Sequence, residues 1–306
     1  MNDAACIIGR MMIIDFHTHT FPEKIAENTL KILRSKSHTR SFSDGTVRGL
    51  LEGNGMAGID LSVVLPVATA PAQVEHINTR AAEQNTIWFQ NEERPCGVLS
   101  FACMHPEHEN PAAELKRIKN LGFRGIKIHP AYQNHDIDDL PFLRILDQCA
   151  ELGLPAVTHA GWDIGFPGVE CCLPQKIRRA VRTVDPEGRT LRLVAAHMGG
   201  WRCWEEVPEL LADTGVYLDT SFSTGRLHPL EGEEYDGYYE GKEISMLNPD
   251  GFMELYSAFG AERLLFGTDS PWSSREESLG FLRRLPVPDR ELALILGGNA
   301  SRLLCL

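Results

Sequence analysis

The sequence has no Cys-x-x-Cys pair, no Lys/Arg-rich run and no apolar run near the ~20 residues that a membrane-spanning helix needs. Each absence removes a class of protein. Its 8 cysteines are scattered among apolar neighbours, with only Cys171 and Cys172 adjacent, so they read as buried reduced thiols rather than a disulfide framework. With 30 basic against 42 acidic residues the formal charge is −12, which argues against nucleic acid or an anionic membrane surface as main partner. An anionic small molecule stays admissible, because a metal ion can invert the local field. No charged n-region precedes an apolar core and cleavage site, so the expectation is a cytoplasmic protein. No Gly-x-Gly-x-x-Gly directly follows the first apolar run, which removes the dinucleotide-binding fingerprint. No low-complexity segment, repeat or composition shift marks a linker, so residues 1–306 are expected to form one domain. Oligomeric state is left open, a homo-oligomer included.

What is present is alternation. With 306 residues and 43% hydrophobic content the chain can bury a large core. Short apolar runs recur at 12–18, 61–67, 96–104, 124–130, 155–161, 191–200, 216–222 and 263–272. Amphipathic stretches lie between them, several opening at Pro and closing at Gly, such as "PAAELKRIKNLG" and "LPFLRILDQCAELG". Eight strands alternating with helices predict a parallel sheet with right-handed crossovers, closed into a (β/α)8 barrel. Two connections are long, 20–60 and 223–247, and both would hang over the mouth as lid or substrate loops.

An ionisable group is costly in a core strand. Yet the strand candidates end in them: His17 and His19, Lys127 and His129, His159, His197, Asp269. Strand alternation puts Asp15, His17 and His19 on one side. In a barrel all these ends converge on one face. A single such histidine could be a satisfied core residue; several arriving together with an aspartate form a set suited to zinc and related divalent ions.

The motifs "DFHTH", "THAG", "AHMGG" and "LLFGTDSPW", with "GNASRLL" near the C-terminus, resemble those of the amidohydrolase superfamily, in the branch labelled amidohydrolase 2. That branch includes metal-dependent hydrolases, lactonases and nonoxidative decarboxylases. The resemblance spans residues 12 to about 304. It implies that His17, His19, His159 and Asp269 are metal ligands, and that His197 is a second-metal ligand or a donor to substrate. One or two divalent ions, zinc first, are the implied cofactor. Such an ion lowers the pKa of bound water to about 7 and polarises a carbonyl; Asp269 could take up the water proton and return it to the leaving group. "GIKIHPA" resembles the strand of binuclear members whose lysine is carboxylated, which makes Lys127 a candidate carbamate bridging two metals. A structural lysine paired with a buried acid is the alternative.

The expected function is a metal-dependent hydrolase acting on a C–N or C–O bond of a small carbonyl compound. The runner-up is a decarboxylase of a small unsaturated or aromatic acid with one metal, and the third is a barrel that binds without turnover. Weaker substrate candidates are Arg40, with His38 and Arg48, in the first long connection, His129 on the strand of Lys127, Trp162 and Asp163 after His159, and Trp272 after Asp269. His76, His105, His108 and His135 fall on helix or loop positions that suggest exposed surface.

Overall fold

The eight apolar runs form parallel strands in the computed structural model, which describes residues 12–89, 97–231 and 246–306. One sheet contains β1 (Ile14–Thr18), β2 (Leu61–Val64) and β3 (Gly97–Ser100). The other contains β4 (Ala102–Cys103), β5 (Ile126–Ile128), β6 (Ala156–Thr158), β7 (Leu193–Ala195), β8 (Tyr217–Asp219) and β9 (Leu264–Leu265). β3 and β4 are halves of one run that changes partner at Phe101. The Phe101 N–H donates to Val64 O at 2.9 Å, and the Ala102 N–H to Gly125 O at 3.0 Å. The far edge closes on β1, where Phe16 N donates to Phe266 O and Asp269 N to His17 O, both at 2.8 Å. The result is a (β/α)8 barrel.

The apolar runs dictate two packing layers. Ile14, Phe16, Val63, Leu99, Phe101, Val157, Val194 and Leu265 form one buried cluster, with Phe16 edge-on to Phe101 at 5.8 Å. Only glycine fits at 125, since a Cβ there would lie 2.3 Å from the Phe101 ring. Ile126, Ala156, Leu193, Leu218 and Leu264 pack in the other layer with helical residues such as Ile118, Ile145 and Ile177. The helix Leu140–Leu152 shows why these segments are helical: Phe142, Ile145, Leu146 and Cys149 recur at helical spacing on its buried face. Gly153 then ends it in the left-handed conformation. Full burial of one such side chain contributes about 1.5–3 kcal/mol.

The C-terminal motif belongs to the barrel floor. A Cβ on Gly297 would lie 1.9 Å from Met12 O, and Asn299 Nδ2 donates to Ala261 O and Leu264 O at 2.7 Å. It clasps the first strand to the last.

β1 departs from strict alternation. Asp15 pairs with Ser62 but Thr18 with Val64, so three steps on β1 span two on β2. This bulge re-aims side chains. Asp15 therefore does not share the orientation of His17: its carboxylate accepts from Thr268 N at 2.9 Å and Thr268 Oγ1 at 2.6 Å.

The first long connection holds the helices Glu23–Ser37 and Val47–Ala57. Its segment near 40 meets the second connection, with Arg40 N donating to His228 O at 2.9 Å and Leu230 N to His38 O at 2.8 Å. Most of the expected lid, 232–245, lies outside the described residues, as do Cys6 and Cys96. The described cysteines are all free. Among the described residues no helix is long and apolar enough to cross a membrane.

Candidate active site

A cavity of about 1200 Å³ opens at the carboxyl ends of the strands. His19, His129, His159, Trp162, Asp163, His197, Asp269 and Trp272 line it, so these sequence-predicted residues come together. His17 and Lys127, each 1% exposed, lie beneath its wall. Arg40 does not reach it. That side chain is exposed and lies over the Phe42 ring at 5.2 Å, because its strand-like segment pairs with 228–230 and faces it outward. Arg48 is also exposed, pairing with Glu23 at 3.3 Å. Of the histidines expected on the surface, His105 is instead buried at 3% exposure, with Nδ1 accepting from Glu107 N at 3.1 Å. His76 stands at the cavity rim.

Hydrogen bonds to pure acceptors fix the imidazole protons, since each neutral ring has one donor and one acceptor nitrogen. His17 Nδ1 lies 2.9 Å from Asp219 Oδ2 and therefore carries the proton. His19 Nδ1 lies 2.9 Å from Leu65 O, His159 Nε2 lies 3.1 Å from Trp162 O, and His197 Nδ1 lies 2.9 Å from Ser221 O. The remaining nitrogens bear lone pairs, and they converge. His17 Nε2 and His19 Nε2 lie 3.4 and 3.1 Å from Asp269 Oδ1. His159 Nδ1 and His197 Nε2 lie 3.0 Å apart. Such a set requires protons or a cation.

Protons are disfavoured. Burial, then the Lys127 charge, holds His17 well below its ordinary value. Burial and the same charge bring His159 down to about 3, while burial and its His159 neighbour bring His197 to about 4. Burial would raise Asp269, but wherever a ring does hold a proton the His19 hydrogen bond and the His17, His19 and His197 charges bring it to about 2, so positive charge in the cage keeps it a carboxylate. A divalent cation fits the donors that remain: His17, His19 and Asp269 within 4.8 Å of one another, with His159 and His197 beside them.

The backbone is shaped to the task. His197 has φ 56° and Asp269 has φ 63°, left-handed values that cost non-glycine residues about 1–3 kcal/mol each. Strain at these two positions aims both side chains inward. Asp219 and Ser221 were not among the sequence candidates. Ser221 Oγ lies 3.0 Å from both His17 Nδ1 and His197 Nδ1, and donates to Asp219 Oδ1. The available signal was an acid ending an apolar strand, "VYLD", as at other strand ends.

A barrel with imidazole and carboxylate donors gathered at its strand ends defines a metal-centre α/β enzyme scaffold. The family model described as Amidohydrolase matches residues 14–306. The chain belongs to the amidohydrolase family. Among solved structures it is similar to 5-carboxyvanillate decarboxylase from Sphingomonas paucimobilis, at 16% identity over 97% of this chain and 99% of that one, with a TM-score of 0.65. It is similar to a dihydroxybenzoic acid decarboxylase from Polaromonas with bound manganese, at 16% identity over 96% and 97%, with a TM-score of 0.65. It is also similar to a putative 2-pyrone-4,6-dicarboxylic acid hydrolase from Pseudomonas putida, at 18% identity over 97% and 98%, with a TM-score of 0.59. No curated protein matches the sequence.

Proposed function

We propose that the chain is a metal-dependent nonoxidative decarboxylase of a small aromatic acid. The observation that carries the reading is a cation-seeking donor set at the base of a cavity walled by Tyr132, Trp162, Trp201, Phe222 and Trp272. Flat apolar walls suit a planar ring, and the cation-seeking end suits its carboxylate. The names of two similar structures, both decarboxylases, support the same choice.

The cation, held by His17, His19 and Asp269 with His159 and His197 alongside, would supply the positive charge that anchors the acid's oxygens. Manganese is the first ion to test, since a similar structure holds it, and zinc the second. Decarboxylation breaks the bond between ring carbon and carboxylate, leaving its electron pair on that carbon, which must then be protonated. Asp269, near 2, enters as a carboxylate. It can take a proton from a ring hydroxyl or from water and return it to carbon. His197 Nε2, fixed as an acceptor by Nδ1–H donation to Ser221 O, orients the same hydroxyl.

Hydrolysis of an amide or lactone is the second reading, favoured by buried Lys127, whose Nζ lies 3.5 Å from His17 Nε2. There a carbamate would complete a binuclear site. A panel of aromatic acids, amides and lactones offered to manganese-loaded and zinc-loaded protein separates the readings. Carbon dioxide release from an aromatic acid is expected. Lactone or amide cleavage without it would replace the proposal, and tight binding without turnover would leave a binding barrel.

A further inference from the structure

Beside the cation-seeking set lies a second group, His129, His159 and Asp163, whose ligand atoms also fall within 4.8 Å of one another. Spacing alone would admit another cation. The proton positions do not. His129 caps a short helix, its Nδ1 accepting from Tyr132 N at 3.5 Å, so the neutral ring carries its proton on Nε2. That nitrogen lies 3.4 Å from Asp163 Oδ2. His159 Nε2, already a donor to Trp162 O, lies 3.9 Å from the same oxygen. With both Nε2 atoms protonated, the rings offer this carboxylate positive edges rather than lone pairs, so the three do not form a ligand set.

Burial raises the Asp163 carboxyl to about 6, against the Gly165 N–H bond, so at neutral pH it is mainly a carboxylate, with acceptor capacity left over. Its Oδ1 accepts from Gly165 N at 2.7 Å, and a carboxylate has about four acceptor sites. Among the described residues its ion-pair partners are these two histidines, with no Lys or Arg within 4.0 Å. It is 8% exposed, and it lines the cavity. The His159 ring spans the gap between this carboxylate and the cation-seeking set, because Nδ1 meets His197 and Nε2 faces Asp163. Asp163 therefore stands one imidazole's width from the place that would hold the substrate's carboxylate.

We propose that Asp163 sets substrate choice: it accepts a hydrogen bond from a hydroxyl or amino group on the ring of an aromatic monocarboxylic acid, and rejects acids with a second carboxylate on that edge. The proposal rests on the decarboxylase reading for the placement of the first carboxylate. A hydroxyl or amino donor uses the vacant acceptor sites, whereas a second carboxylate would meet a like charge in a desolvated wall. His129 acts through Asp163 as a positioning residue, its Nε2 3.4 Å from Oδ2. By this logic the dicarboxylic acids named for two of the similar structures fit poorly here.

The test compares 2,4-dihydroxybenzoate with 2-hydroxyterephthalate, which replaces the 4-hydroxyl by a carboxylate. Calorimetric binding to the manganese-loaded protein is measured alongside carbon dioxide release. The native protein should favour the monocarboxylic acid by about tenfold or more, the worth of one charge-assisted hydrogen bond. Asp163→Asn keeps an acceptor for Gly165 N–H and removes the charge; it should erase or invert that preference, the change falling on KM rather than kcat. Asp163→Ser serves the same purpose if the amide variant melts early. A preference unaltered in the folded variant, or binding of neither acid by the native protein, overturns the proposal. Binding needs no turnover, so an altered preference without carbon dioxide release sinks the decarboxylase reading alone. Release with an unmoved preference sinks only the role of Asp163.

Discussion

His159 Nδ1 and His197 Nε2 face each other at 3.0 Å, each with its ring's other nitrogen committed to a backbone carbonyl. Two lone pairs at that distance repel. With His17 and His19 turned the same way toward Asp269, the chain holds a cage of acceptors whose stability depends on what enters it. The bulge in β1 makes this cage by re-aiming His17 away from the direction taken by Asp15.

Replacing His17 and His19 together by Ala should remove the tightest-bound metal and the activity with it. The cavity survives, because the apolar barrel core does not include either ring. Plasma emission on the purified double variant, with circular dichroism as the folding check, decides this. Metal content equal to that of the native protein places the site elsewhere.

Asp219→Asn should weaken metal binding about 10–100-fold, the usual cost of losing a partner that orients a ligand. An amide can donate to His17 Nδ1, which forces the imidazole proton onto Nε2 and points it into the cage. Chelator competition gives the affinity. Native affinity in this variant would mean that Ser221 alone holds the tautomer.

Asp269→Asn should fold, since asparagine tolerates the left-handed φ of 63° about as well as aspartate does. Turnover should fall about 10²–10⁴-fold, because the amide cannot take up a proton. Rates measured at saturating metal separate this loss from weaker metal retention. Near-native turnover under those conditions would assign the proton to another group.

Acid should destabilise the metal-free protein. The unfolded chain takes up protons on His159 and His197 near their ordinary 6.5, while burial keeps them neutral in the fold down to about 3 and about 4. Between those limits the unfolded state binds more protons, so stability falls as pH falls from 6.5 toward 4 and is unaffected by these groups above it. Melting curves of the chelated protein across that window should slope accordingly. A flat profile, or one unchanged by His159→Asn, would show that the rings are protonated in the fold.

The barrel was legible because the buried strands are near-continuous apolar runs and several helices carry their own start and stop residues, as in Leu140–Leu152 with Pro141 and Gly153. The ligand candidates were legible because ionisable groups at core-strand ends have few other uses. Two features were not. The β1 bulge leaves no mark in a run that reads "MIIDFHT", so Asp15 was placed with His17. Arg40 looked like an anion binder by its charge alone, but its direction is set by backbone pairing with 228–230, a contact across nearly 190 positions. Asp219 was hidden for the opposite reason: it reaches the site through the far nitrogen of His17 and through Ser221, and sequence gives no tautomers.

Lys127 decides between the two reactions. Its Nζ lies 3.5 Å from His17 Nε2, the side chain is 1% exposed, and it does not line the cavity. A carbamate adds three heavy atoms to a nitrogen already packed beneath the wall, so we expect an unmodified amine. Burial lowers it to about 8, against the pull of Asp219 and Asp269, so it is mainly an ammonium at neutral pH. An ammonium there repels a metal ion. Lys127→Met should therefore keep one equivalent of metal, with affinity equal to or above that of the native protein. Bicarbonate during metal loading should change nothing. A bridging carbamate predicts the opposite sign throughout: about half the metal lost in a two-metal site, activity nearly abolished and partly restored by acetate, and bicarbonate activation. That activation would grow as pH rises through about 8, because only the neutral amine reacts with carbon dioxide. Metal stoichiometry of native and Lys127→Met protein, with and without bicarbonate at two pH values either side of 8, distinguishes them. Bicarbonate-dependent activation with metal loss in the variant would move the chain from decarboxylation to hydrolysis.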